Sequence, residues 1–209
     1  MTNLSINICD TSASLVLTSA SFSDHSTSAS YSISASWAPS NNTTVTSSIP
    51  TLVYFSSSTS WIVPTNISSV RAIVIGAGGG SAAYSDGIFS GGGAGAYVEN
   101  VVSVTPATTM SVVVGTSGAG GNNSAGGNGG SSSFAGLIAR GGSGATSGTG
   151  GAGGIASGGT INLNGWNGTA PSPVFTLAIG GPSPYLNFGA GGTLPGTTSG
   201  SIGAVILYY

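Results

Sequence analysis

Few residues in this 209-residue chain are equipped to do chemistry. The first candidate is the stretch SSVRAIVIGAGGGS at 68–81, an apolar run followed at once by glycines. In many enzymes such a junction turns a strand into a helix and holds a dinucleotide. Gly76 and Gly78 take the first two glycine positions of G-x-G-x-x-G, and Ser81 stands at the third. That chemistry needs a helix N-terminus for the pyrophosphate. The residues that follow, SAAYSDGIFSGGGAGAY, have no amphipathic period and too much glycine to sustain a helix. The acidic partner expected about 20 residues on would be Glu99, which sits near the start of a strand pattern rather than at its end. No cofactor site is expected here.

The remaining reactive groups are scattered. His25 is the only histidine and adjoins Asp24 in a serine-rich stretch, where it reads as half of a solvated pair. No nucleophile elbow accompanies it. Cys9 is the only cysteine, so no intramolecular disulfide can form. Asp10, Asp24, Asp86 and Glu99 lie well apart, with no metal-ligand spacing. Asp86 and Glu99 could serve as a glycosidase pair in principle, with nothing beyond their existence to support it. The expectation is a protein that is not an enzyme and holds neither metal nor cofactor.

Composition narrows the class further. The four carboxylates, Arg71 and Arg140 are the whole charge inventory, and lysine is absent. Two cations cannot neutralise a phosphate backbone, so nucleic acid is not an expected partner. No basic region precedes an apolar stretch, as a classical signal peptide requires. No apolar run reaches the roughly 18 residues of a spanning helix, so membrane insertion is not expected.

The elements that would position any site fall into two regimes. All 38 glycines follow Ile75, whereas residues 1–50 hold 22 serines and threonines. SASL (12–15), SASF (19–22), SASY (28–31) and SASW (34–37) form a loose repeat, too irregular for a solenoid. This stretch is too poor in large apolar residues to bury a core of its own. It reads as an extended attachment or oligomerisation segment ordered by partners, or as a linker. Residues 51–209 carry short strand patterns. TLVYFSSSTSWIVP predicts two strands around a polar turn. VRAIVI (70–75) is a buried strand. AYVENVVSV (96–104) and MSVVVG (110–115) predict a hairpin turned by TPATT. SSSFAGLIARGG adds a strand pair, and GAVILYY closes the chain. No helical period is present. The expected fold is all-β, a sandwich of short strands.

Between the strand patterns lie glycine tracts at 76–81, 90–96, 118–131, 140–159 and 189–192. Glycine gains nothing in strands or helices. It does permit extended left-handed threefold helices of polyproline II geometry packed side by side, with N–H groups bonded to carbonyls of neighbouring helices.

The succession SWIVPTNISSVRAIVIGAGGGS, GGGAGAY, a hairpin ending VVVG, GGSSSF and the terminal GAVILYY resembles the glycine-rich domain of bacteriophage tail fibres and tail adhesins. The resemblance covers residues 51–209 and keeps the family's order: Trp61 and Pro64, Gly76–Gly80, Gly129–Phe134, and Val205–Tyr209. It has fewer uninterrupted glycine runs than many relatives. The SAS repeats are similar, more loosely, to segments near the start of phage fibre proteins. The resemblance implies a β-sandwich base carrying polyglycine II helices, with loops between the helices that contact bacterial surface receptors. It implies a virion protein, a tail fibre or tail tip binding a host surface glycan or an outer-membrane protein. Residues 1–50 would join it to other virion proteins, and by analogy with fibres it would be a homotrimer. A capsid-surface fibre, decoration or baseplate element without receptor binding is the alternative.

Large residues interrupt the glycine tracts at 82–89, 160–180 and 182–189. Aromatic and amide side chains on rigid supports suit sugar or protein surfaces. Tyr84, Asp86, Phe89, Asn164, Trp166, Tyr185 and Phe188 are the candidate receptor contacts. A competing role stays open for Tyr84, Phe89, Trp166, Phe175 and Leu177, as plugs of a small core beside the glycine helices.

Overall fold

The computed structural model describes residues 50–170, 180–182, 188–193 and 198–209, all within the compact unit Pro50–Tyr209. The SAS repeats, Tyr185, Phe175 and Leu177 lie outside the described residues. No described residue is helical, and the fold is all-β.

Among the described residues, thirteen strands run β1 (Leu52–Phe55), β2 (Thr59–Ile62), β3 (Ser69–Ile75), β4 (Ala82–Ala83), β5 (Phe89–Ser90), β6 (Tyr97–Ser103), β7 (Thr109–Val113), β8 (Gly121–Asn122), β9 (Ser132–Phe134), β10 (Leu137–Ala139), β11 (Ala156–Ser157), β12 (Ile161–Leu163) and β13 (Ala204–Tyr208). They form one five-stranded sheet ordered β1-β13-β3-β6-β12 and another ordered β11-β10-β9-β7-β2. All pairs in these two sheets are antiparallel. A small third sheet, β5-β4-β8, contains one parallel pair, β4 with β8.

The two large sheets share one core. Val70, Ala72 and Val74 of β3, Val98 of β6, and Val205 and Leu207 of β13 meet Trp61, Val112, Phe134, Leu137 and Ala139 of the other sheet. Trp61 stands edge-on to Phe134, ring centroids 6.0 Å apart, a favoured aromatic geometry. The opposite face of β3 is covered as well: Ile73 and Ile75 pack with Tyr97, Ala204 and Ile206, and Phe188 and Tyr208 lean on them. A strand buried on both faces needs no alternation, which accounts for the continuous apolar run VRAIVI.

β9 and β10 form the expected hairpin, with Leu137 opposite Phe134. Its turn residues Ala135 and Gly136 have φ of 48° and 84°, both in the left-handed region that a type I′ hairpin demands. The hairpin expected of 96–104 with 110–115 does not form. β6 pairs with β3 and β12, whereas β7 pairs with β2 and β9 in the other sheet. The TPATT connection, with Ala107 at φ 59°, crosses between sheets. Two alternating strands around a turn are compatible with either outcome. The choice went to the arrangement that puts Val98 and Val112 on opposite walls of one core.

Candidate functional site

β3 and β6 do not end at the edge of the core. The chain leaves β3 as an extended segment, 76–81, and returns to β6 through another, 91–96, and both are buried throughout. Their hydrogen bonds repeat every third residue. Gly76 and Gly79 donate to the carbonyls of Ala96 and Gly93. Ala77 and Gly80 donate to those of Gly130 and Gly127, and Gly78 and Ser81 to those of Ser201 and Thr198. In the second segment Gly91 and Ala94 donate to Thr169 and Trp166, Gly92 and Gly95 to Gly192 and Gly189, and Gly93 and Ala96 to Ser143 and Arg140.

The carbonyls look to further neighbours. Gly118 and Gly121 donate to Gly78 and Ser81, Gly142 and Ala145 to Ala77 and Gly80, and Gly192 to Gly79. Gly151 and Gly154 donate to Gly91 and Ala94, and Gly181 to Gly92. Among the described residues, each of the two central segments therefore touches six others: three that it donates to and three that donate to it. Each is the other's neighbour, and 140–145 and 189–192 contact both. The backbones lie so close that a Cβ on Gly78 would fall 1.9 Å from the Ala190 carbonyl oxygen, and one on Gly92 2.1 Å from that of Gly79.

This bundle separates the candidate residues. Segment 76–81 leads away from β3, so the connection 82–90 lies at the end remote from the two large sheets. The bonds of Gly121 to Ser81, Ser81 to Thr198 and Gly91 to Thr169 bring residues 121, 198 and 169 to that same end. Tyr84, Asp86 and Phe89 are there, Tyr84 and Phe89 half-buried and Asp86 exposed. Tyr84 N–H donates to the Ile88 carbonyl, and the Asp86 carboxylate accepts from Ile88 N–H at 3.2 Å. Gly87 completes the turn at φ 81°. The Ser85 N–H donates at 2.7 Å to Asn123 Oδ1, which fastens this loop to the one after β8. Asn123 is a supporting residue of this surface that sequence reading missed, since its role depends on a contact across 38 positions.

The other candidates are elsewhere. Asn164 follows β12 at the sheet end, and its Oδ1 accepts from Ala156 N–H at 3.0 Å. Phe188 also lies at the sheet end, packed on the outer face of β3 with its ring 5.5 Å from that of Tyr54. Trp166 projects from the side of the bundle and is 65% exposed, so it plugs no core. Tyr84, Asp86 and Phe89 are the candidates that the fold brings together.

Asp86 and Glu99 sit at opposite ends of segment 91–96. Six extended residues span about 20 Å, beyond the about 10 Å within which glycosidase carboxylates cooperate. Glu99 has its own partners on the outer face of β6. Arg71 Nε donates to it at 2.7 Å and the Tyr97 hydroxyl donates to its other oxygen. The Arg71 hydrogen bond, with help from Tyr97, holds the Glu99 carboxyl below the usual range against the opposing effect of burial. The same bond raises Arg71, which also lies 5.4 Å over the Tyr208 ring. Among the described residues no cluster of three or more histidine, cysteine or carboxylate side chains could hold a metal. The remote end carries the aromatic rings of Tyr84 and Phe89, the Asn123 amide and the Asp86 carboxylate.

An all-β body of two antiparallel sheets, extended by close-packed glycine segments, is the class of protein defined here. The chain belongs to the glycine-rich domain family, whose model matches residues 54–206. No curated protein matches it.

Proposed function

We propose that this chain is a non-enzymatic phage virion protein, a tail fibre or tail-tip adhesin that binds a host surface glycan or outer-membrane protein. On this reading the two large sheets are a β-sandwich base and the glycine segments are polyglycine II helices. The threefold repeat of their hydrogen bonds and the absence of room for Cβ atoms support that geometry. Residues 1–50 attach the protein to the virion, and a homotrimer supplies avidity.

The observation that carries the reading is the bundle itself. Every rod is tied to its neighbours by backbone bonds, and the loops at its remote end, including Tyr84 and Phe89, are mounted on a support that loses little entropy on binding. The experiment is adsorption of the whole chain to candidate host cells. Tyr84→Ala with Phe89→Ala should abolish host-specific adsorption, and Trp166→Ala should leave it intact. A well-folded chain that adsorbs to no host would overturn the adhesin.

A second reading, a capsid-surface or baseplate element, draws on a different feature. Leu52, Tyr54, Val101, Ile161 and Leu163 are all exposed on the outer face of the β1-β13-β3-β6-β12 sheet, as apolar residues are where a subunit packs on a neighbour.

A further inference from the structure

The dipeptide Asn-Gly occurs at 128–129, 164–165 and 167–168, and all three copies make the same contact. Asn128 Oδ1 accepts from Gly144 N–H while Gly129 N–H donates to the Gly142 carbonyl, both at 2.8 Å. Asn164 Oδ1 accepts from Ala156 N–H at 3.0 Å while Gly165 N–H donates to Gly154 at 2.8 Å. Asn167 Oδ1 accepts from Gly153 N–H while Gly168 N–H donates to Gly151, both at 2.8 Å. In each case side chain and backbone together grip one neighbouring segment at two positions, two residues apart.

The other side of each dipeptide explains its second residue. A Cβ on Gly129, Gly165 or Gly168 would fall 2.3, 2.1 or 2.0 Å from the carbonyl oxygen of Ala77, Ala94 or Gly91 on the central segments. Glycine is needed to touch the centre. Asparagine is needed to supply an oxygen to an outer N–H that no backbone carbonyl reaches.

Asn-Gly is also the sequence most open to spontaneous deamidation, because glycine leaves the following nitrogen unhindered. The Gly nitrogen gives its proton to hydroxide and attacks the Asn Cγ. A C–N bond forms, the bond from Cγ to Nδ2 breaks, and the amide nitrogen leaves as ammonia. Water then opens the five-membered succinimide at either carbonyl, leaving aspartate or isoaspartate. The sum is Asn plus water to an acid plus ammonia.

We propose that Asn128, Asn164 and Asn167 are latent deamidation sites that the rod packing holds shut. All three asparagines are exposed, so water and hydroxide reach them. What is blocked is ring closure: the attacking nitrogen is committed to one carbonyl and the Asn carbonyl to another N–H. Both bonds must break together, which requires the outer segments to separate locally. An isoaspartate adds a methylene to the backbone, so a site that has opened and reacted to isoaspartate cannot re-form its grip. The amide content of these positions thus records how often the bundle opens.

The test is peptide mapping by mass spectrometry after incubation of the full chain at mildly alkaline pH, native and in urea. A Ser124→Gly variant provides the control. It creates an Asn-Gly pair at 123–124, where Asn123 Oδ1 still accepts from Ser85 N–H but the nitrogen of residue 124 makes no hydrogen bond among the described residues, so the pair isolates the bond of the attacking nitrogen. In the native variant Asn123, held at its side chain alone, should deamidate faster than Asn128, Asn164 and Asn167, which react at least about tenfold more slowly than in urea. In urea all four should react alike. Native reaction at Asn123 as slow as at the other three positions would overturn the proposal, since protection would then owe nothing to the hydrogen bond of the attacking glycine nitrogen.

Discussion

Replacing Gly78 by alanine puts a methyl group where the bundle has no space. Its Cβ would stand 1.9 Å from the Ala190 carbonyl oxygen, against an ordinary contact of 3.4 Å or more. The neighbouring segment must retreat by about 1.5 Å, the difference of these distances. Its bond from Gly192 N–H to Gly79, now 2.8 Å, then stretches out of range. Segment 189–192 is also held by Gly95 N–H to Gly189 at 2.7 Å and Gly92 N–H to Gly192 at 3.1 Å, so it cannot retreat from one central segment without disturbing the other. Each buried backbone group left unpaired costs about 1–3 kcal/mol. The loss of two such groups gives about 2–6 kcal/mol, a large share of an ordinary domain's stability of about 5–15 kcal/mol. In a chain of this size that lowers the melting temperature by about 4–24 °C. Gly148→Ala is the matched control: nothing lies within 4 Å of its Cβ, and the change should stay within about 0.5 kcal/mol. Urea unfolding followed by far-ultraviolet circular dichroism measures both. A Gly78→Ala protein within about 1 kcal/mol of the parent, or equal losses in the two variants, would refute the close-packed account.

Other outcomes follow from the same contacts. Phe134→Ala empties a site that is 1% exposed and should cost about 3–5 kcal/mol, with a red shift of Trp61 fluorescence. Asn167→Ala leaves the Gly153 N–H without its acceptor and should cost about 1 kcal/mol in urea unfolding; Asn167→Asp keeps an oxygen there and should cost less. Glu99 has a depressed folded pKa, so its stabilising contribution is present above the unfolded carboxyl value and is lost as pH falls through the folded one. Stability measured across acid pH should therefore decline less steeply for Glu99→Gln than for the parent.

The faces of the strands were legible locally. In AYVENVVSV the period of two separates Tyr97, Glu99 and Val101 from Val98 and Val102, and the structure turns these sets to opposite faces of the sheet. The SSSFAGLIA hairpin was legible because its turn residues and strand lengths allow little else. The partner of β7 was not, since alternation states which face is apolar and is silent on which sheet will receive it. Asn164 was legible only in part: an asparagine before a glycine reads as a displayed amide, and its engagement with Ala156 depends on a segment eight positions away in sequence.

From composition and pattern alone, the chain was bound to be a nearly uncharged β-protein with glycine tracts that form no helix; that they would hold no strand was too strict, since β8 and β11 lie within them, each two residues long and paired with a strand outside the tract. Segment 76–81 makes its backbone hydrogen bonds to other segments and none within itself, so nothing within GAGGGS names its partners. Only the folded bundle assigns Gly76 to Ala96, Ala77 to Gly130 and Gly78 to Ser201. The same assignment decides that Tyr84, Asp86 and Phe89 share one end while Asn164 and Phe188 lie at the other. Side-chain periodicity is a local property that sequence records, whereas backbone pairing between remote segments is settled by the one packing that satisfies every buried N–H and carbonyl at once.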